Sequence, residues 1–382
     1  MEAFGAQIVL VRGDTRGMAT LYSLAQQNPV TLALDVEPDE AVEGVSWAVE
    51  QEQDAEPLAV ALVYITTEAS GLNATADRIQ MRVYDDTGTE LSRTDLPSDI
   101  TGTPYEPGDL GGAKPSRYLT VMNGTAVFTT ELADDTYAVL GYDVASTTEK
   151  WRTVGPEEPE RTGAPLANGW VALDWQDALA AFDPATGNAQ WRSEQMSSVY
   201  AHGVAPFLTG YTSPAAWSGP DPVEFIDGAT GAIMSIPDGF TNYGVDRITG
   251  ESAFLWFASD SSPADKPGLL VRSAEGAGVF SLDAQKTGAA GVQDILAMWN
   301  GLIWVETSAG KDVVLAATGA RAPGISGGGE VYRIPEYATP DWTITTVDGG
   351  TFGGDTRILT RHPGADPSLE TLNVQTAPPS TP

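Results

Sequence analysis

Cysteine is absent from this 382-residue chain, and lysine and histidine are scarce. Without thiols there is no disulfide, no thiolate metal centre and no cysteine nucleophile. With only two histidines, His202 and His362, histidine-based zinc or iron sites are nearly excluded. Lys and Arg together number 20, five of them lysine, against 52 Asp and Glu, for a formal net charge of −32. So few cations cannot neutralise a phosphate backbone, so DNA, RNA and anionic membrane surfaces make poor partners. No apolar run reaches the ~18 residues of a membrane span. At Met1–Gly5 no basic start leads into a hydrophobic stretch, so any export signal or anchor is expected to lie outside this chain.

What is present is ample material for a core: 42% hydrophobic residues, with 10 Trp among them. That composition sets the chain apart from disordered acidic sequences. The apolar residues come in short runs, such as Ile8–Val11, Thr20–Leu24, Val30–Leu34, Val60–Ile65, Thr125–Thr129, Tyr137–Tyr142, Trp170–Leu173, Leu269–Val271, Leu302–Val305 and Val313–Ala316. Turn residues interrupt them every few positions, supplied by 41 Gly and 26 Pro. Helical i, i+3, i+4 stripes are hard to find; Thr287–Met298 is the longest ambiguous stretch, and its Gly residues argue against a helix there. The fold class is all-β.

A repeat organises these strands. GYDVASTTEKW carries Asp143 and Trp151, and AFDPATGNAQW carries Asp183, Thr186, Gly187 and Trp191. FIDGATGAIMS keeps Asp227, Thr230 and Gly231 but has Ser235 where the tryptophan would fall. Looser copies surround Asp85 and Asp283. The successive steps of 40–58 residues suit four-stranded propeller blades with loop insertions. Asp at the strand end can accept backbone N–H bonds, Gly supplies the positive φ of the turn, and the tryptophan is expected to lie flat on the neighbouring blade. One blade cannot cover its own face, so repetition builds the core.

The segment Ala181, Asp183, Thr186, Gly187, Trp191 resembles the tryptophan-docking repeat of PQQ-like (quinoprotein-type) β-propellers, A-x-D-x-x-T-G-x-x-x-W. GYDVASTTEKW departs from it at Ser146 and Thr147. The resemblance implies a single propeller of four-stranded antiparallel blades over residues 1–374, seven of them, with eight as the alternative. It also implies ring closure by the chain ends: the first blade, missing its inner strand, would borrow Leu369–Val374. Trp342–Val347 and Ile358–Arg361 are hard to allot. Residues 375–382, QTAPPSTP, read as a flexible tail.

Catalytic constellations are hard to find. Active quinone dehydrogenases of this family use Ca²⁺ held by Glu, Asn and Asp, and no such cluster maps onto this chain, so neither a cofactor nor a metal is expected. Gly324–Gly328 fits G-x-S-x-G, but the strand-like sequence after it does not suit a nucleophile elbow. Asp134–Asp135 and Asp174 with Asp177 fall at turns between second and third strands, where propellers usually bind. Such pairs read first as solvated turns and second as acid/base carboxylates ~5–9.5 Å apart. Trp175, beside Asp174, is a candidate for stacking on a sugar or peptide. Trp217, on the Pro-rich loop Tyr211–Pro222, is a candidate interface anchor, and folding back onto its own blade is the competing reading.

These features point to a non-enzymatic binding or scaffolding propeller, with a protein or peptide as partner and a glycan as a further class. An extracellular or cell-envelope location is expected, with the cytoplasm of a halophile as the alternative. A PQQ/Ca-dependent dehydrogenase, a carbohydrate-active hydrolase or lyase, and a structural surface component remain the other functional classes.

Overall fold

The computed structural model describes residues 2–4, 8–12, 18–23, 29–51, 55–67, 77–102, 118–157, 163–176, 178–194, 198–200, 207–211, 224–234, 241–248, 251–257, 267–273, 278–283, 292–299, 302–307, 310–315, 334–338, 342–347 and 356–361. All the regular structure there is β, and the chain divides into two units, Met1–Val204 and Ala205–Pro382. Among the described residues no helix is long and apolar enough to cross a membrane.

The first unit holds four antiparallel four-stranded meander sheets in chain order. The first contains β1 (Glu2–Phe4), β2 (Ile8–Arg12), β3 (Met18–Ser23) and β4 (Val30–Ala33). The second contains β5 (Glu40–Val49), β6 (Ala59–Thr67), β7 (Arg78–Tyr84) and β8 (Glu90–Asp95). The third contains β9 (Tyr118–Met122), β10 (Thr125–Glu131), β11 (Tyr137–Asp143) and β12 (Thr148–Gly155). The fourth contains β13 (Gly163–Pro165), β14 (Val171–Asp174), β15 (Leu179–Phe182) and β16 (Ala189–Ser193), and β17 (Ser198–Tyr200) follows.

Burial explains the hydrophobic pattern strand by strand. On β6, Val60 and Leu62 pack toward the third sheet, while Ala61, Val63 and Ile65 pack toward the first. Both faces are covered, so the strand reads as a continuous apolar run instead of an alternation. Fourth strands differ: β8 alternates half-buried and exposed residues along ELSRTD. A third apolar layer, with Met122, Val127 and Val139 against Val171, Leu173 and Phe182, joins the third sheet to the fourth. Each fully buried aliphatic side chain contributes about 1.5–3 kcal/mol.

In the second unit β18 (Phe207–Tyr211), β19 (Glu224–Asp227) and β20 (Ile233–Met234) pair in order. A four-stranded meander follows, of β21 (Thr241–Ile248), β22 (Glu251–Phe257), β23 (Pro267–Ser273) and β24 (Gly278–Asp283). Two three-stranded sheets follow among the described residues: β25 (Val292–Trp299), β26 (Leu302–Thr307), β27 (Gly310–Leu315), and β28 (Ile334–Ala338), β29 (Trp342–Val347), β30 (Thr356–Arg361). The stretches Trp342–Val347 and Ile358–Arg361 are therefore partners in one hairpin.

The described strands form eight sheets, six of four strands and two of three. The first sheet corrects an expectation. Its missing strand is Glu2–Phe4, which pairs with β2 from Glu2↔Val11 to Phe4↔Val9. A strand three residues away closes a far shorter loop than one borrowed from the opposite end of the chain. Leu369–Val374 and the tail 375–382 lie outside the described residues.

Candidate functional site

In a meander sheet the turns after the first and third strands lie at one end, and the turn after the second lies at the other. The repeated aspartates occupy the first of these ends. Asp183 accepts the Ala185 N–H (2.8 Å) and the Thr186 hydroxyl (2.8 Å), while the Gly187 N–H donates to the Asp183 carbonyl (2.8 Å). Asp227 builds the same loop with Ala229 and Thr230, closed by Gly231 at φ +70°. Asp143 accepts both the backbone N–H and the hydroxyl of Ser146, and these bonds hold its carboxyl below the usual carboxylate range. At Asp85 burial raises the carboxyl, but hydrogen bonds from Thr87 and Thr89 outweigh it and leave it lowered. The repeat's aspartates are thus loop organisers.

Trp151 joins two sheets at this end. It stands on β12 opposite Gly141, just before a register shift, and Trp191 stands likewise opposite Ala181 on β16. The Trp151 indole covers Gly141 of its own sheet and Gly187 of the next; a Cβ at either glycine would overlap the ring. Its Nε1–H donates to the Pro184 carbonyl (2.7 Å), and the ring stacks on Phe182 with 6.5 Å between centroids and 11° between planes. Gly187, at φ +72°, meets two demands at once: a left-handed turn and a surface flat enough for an indole.

Earlier joints use other chemistry at the equivalent places. Val30 on β4 covers Gly88 in the Asp85 turn. Between the second and third sheets the tryptophan position, opposite Val83, is Ser92. The glycine position there is Thr147, a β-branched residue at φ +52°, whose hydroxyl pairs with that of Thr94 at 2.6 Å. A side chain at the turn is tolerated where no indole lies on it.

A second clamp, absent from the sequence reading, sits between these two sheets at the same end. Glu50, 3% exposed just past β5, accepts the Asn123 N–H (3.0 Å) on Oε1 and the Gly124 N–H (2.8 Å) on Oε2. The Gln51 N–H donates to the Val121 carbonyl (3.0 Å), extending β5 alongside β9. The signal in the sequence was Asn123-Gly124, a dipeptide suited to two successive positive φ values, here +51° and +66°.

At the opposite end lie the candidate binding residues. Asp134 and Asp135 are exposed in the turn between β10 and β11. Asp134 accepts the Thr136 hydroxyl (2.6 Å) and N–H (3.2 Å), which hold its carboxyl below the usual range. Asp135 takes φ +61° and donates its N–H to the Leu132 carbonyl (3.0 Å). Asp99 joins them, its carbonyl accepting the Ala133 N–H (2.9 Å) and its carboxylate pairing with Arg152 of β12.

Asp174 and Trp175 are placed differently. Both are buried, at 6% and 3% exposure, so Trp175 offers no open ring face to a sugar or peptide, contrary to its expected role. The indole instead packs in the layer between the third and fourth sheets, where a Cβ at Gly155 would approach its Cζ2 to 2.9 Å. Arg192 of β16 caps the turn by donating to the carbonyls of Trp175 and Gln176. The third and fourth sheets are therefore pinned by Trp151 at one end and Trp175 at the other. Asp177 and Trp217 lie outside the described residues, and among those described no group of three or more His, Asp or Glu could hold a metal ion.

No protein-family model and no curated protein matches the chain. Among solved structures it is similar to BamB from Moraxella catarrhalis, at 13% identity and TM-score 0.44, over 90% of this chain and 92% of that one. It is also similar to the β-propeller domain of the Trilobed protease from Pyrococcus furiosus, at 9% identity and TM-score 0.39, over 84% and 95%. A third is the quinohemoprotein alcohol dehydrogenase from Comamonas testosteroni, at 12% identity and TM-score 0.38, over 91% and 70%. Likenesses at these scores assign neither a family nor a role.

Proposed function

We propose that this chain is a PQQ-like β-propeller that works without catalysis, exported to the cell envelope or beyond, and docks a neutral or basic protein or peptide. The observation that carries the reading is the turn between β10 and β11. There Asp134 and Asp135 stand exposed beside Asp99, on a backbone fixed by its own hydrogen bonds. Behind them the third and fourth sheets are held by two indoles, so the carboxylates are displayed on a firm base. Preorganised display of charge favours encounter and specificity with an oppositely charged partner. A net charge of −32 repels acidic partners and other copies of the chain.

The test is binding of immobilised basic, neutral and acidic peptides across a salt series. Basic peptides should bind, weaken with salt, and lose about fivefold in affinity to an Asp134→Asn/Asp135→Asn variant, the order of one exposed charge pair. Retention of acidic peptides alone would overturn the reading. So would turnover with PQQ and Ca²⁺, or on a glycan panel, that Asp174→Asn abolishes.

A further inference from the structure

The bonds that Glu50 makes have a chemical consequence for Asn123. An asparagine followed by glycine is a thermolabile pair, because no Cβ shields the following amide nitrogen. That nitrogen loses its proton and attacks the asparagine Cγ, forming a C–N bond and a succinimide ring as ammonia leaves. Water then opens the ring to aspartate or iso-aspartate. Asn123 is exposed, at the tip of the β9–β10 hairpin, and Gly124 follows it with open space where a Cβ would stand. By local sequence and exposure the site is primed.

We propose that Asn123 is a latent deamidation site that Glu50 keeps closed. The proton that must leave Gly124 is held by Glu50 Oε2 at 2.8 Å, and a developing amide anion there would face the carboxylate of a buried residue. The companion bond from the Asn123 N–H to Oε1 fixes the other half of the turn, so rotation of the asparagine toward the Gly124 nitrogen breaks two charge-assisted bonds together. Reaction would place a second negative charge, with an extra backbone methylene in the iso-aspartate product, against Glu50 and loosen the clamp between the second and third sheets.

The chain supplies its own clock in the hairpin between β13 and β14. Asn168-Gly169, a neighbouring turn that lies against the Asn123 amide, is the same dipeptide and also exposed at the asparagine; the Trp170 N–H donates to Asn168 Oδ1 (3.2 Å), and the Gly169 N–H donates to the uncharged Leu166 carbonyl (2.9 Å). The experiment incubates the full chain at mildly alkaline pH and follows both peptides by mass spectrometry and iso-aspartate assay. In the unaltered protein Asn168 should react faster than Asn123. Glu50→Gln should raise the Asn123 rate about tenfold, the order of losing one hydrogen bond to a charged group, and leave Asn168 unchanged. If the substitution merely unfolded the protein, both sites would accelerate together; Glu50→Asp, scored by the same ratio, keeps a carboxylate and should react more slowly at Asn123 than Glu50→Gln does. Equal rates in the unaltered protein would overturn the proposal. A Glu50→Gln rate at Asn123 that is unchanged or lower, as when the carboxylate acts as the base, would also overturn it.

Discussion

Two neighbouring joints of the first unit are built on the same backbone plan and filled differently. Between the third and fourth sheets, Trp151 lies on Gly187 and Trp175 lies against Gly155. Between the second and third, Ser92 and Thr147 occupy the places of indole and glycine, with the Thr94–Thr147 hydroxyl pair and the Glu50 clamp alongside. The apolar layers differ as well. Val60, Leu62, Met81, Val83, Phe128 and Leu140 help fill the second joint's core, whereas in the third joint two indoles join Met122, Val127, Val139, Val171, Leu173 and Phe182. The docking tryptophan is therefore one solution to sealing sheet against sheet, and its turn partner changes with it. An indole demands a bare backbone, whereas a serine leaves room for a side chain.

Truncation should separate the joints most sharply. Trp151→Ala is expected to cost about 3 kcal/mol, toward the lower end for tryptophan because the ring is only half-buried, read as a lower urea midpoint with unchanged slope. Ser92→Ala at the equivalent place should move stability by less than about 0.5 kcal/mol. Comparable losses at both positions would erase the distinction.

The turn residues come next. Gly187→Ala should destabilise by about 2 kcal/mol, since a Cβ meets both a left-handed backbone and the indole. Thr147→Gly should be near neutral, within about 1 kcal/mol, because relief of a left-handed β-branched residue offsets the lost hydroxyl pair. Thermal or urea unfolding measures both.

Much of this was legible in the sequence because it is local. The Asp183 and Asp227 loops use side chains and N–H groups within four residues, and β6 announces its two-sided burial in the run AVALVYI. What was not legible depends on partners brought in by the fold. Trp175 beside Asp174 looks like an exposed platform until Met122, Val127 and Val139, on another sheet, join its layer. Glu50 is one acid among 52 until the Asn123 turn, 73 residues on, arrives over it. Asp134 and Asp135, read as solvated turn residues, are exposed there, yet Asp99 reaches them through the Ala133 N–H and the pairing of Ile100 with Leu132.

A smaller effect should appear with acid. The Asp143 carboxyl lies below its ordinary value in the fold, so its bonds to Ser146 contribute in full above the unfolded-state value of about 3.9. That contribution disappears as pH falls through the lower folded value. Asp143→Asn should flatten this part of the acid-unfolding curve, at a cost of about 1 kcal/mol at neutral pH. An unaltered acid limb would remove Asp143 from the joint's energetics.

The most direct trial of indole-on-glycine docking between sheets is a double-mutant cycle of Trp151→Ala and Gly187→Ala by urea unfolding. With the indole gone, the added methyl should cost only its backbone strain, so the two losses should fall short of additivity by about 1 kcal/mol. Losses that simply add would mean that the ring and the turn act independently, and that Trp151 does not hold the third sheet to the fourth through Gly187.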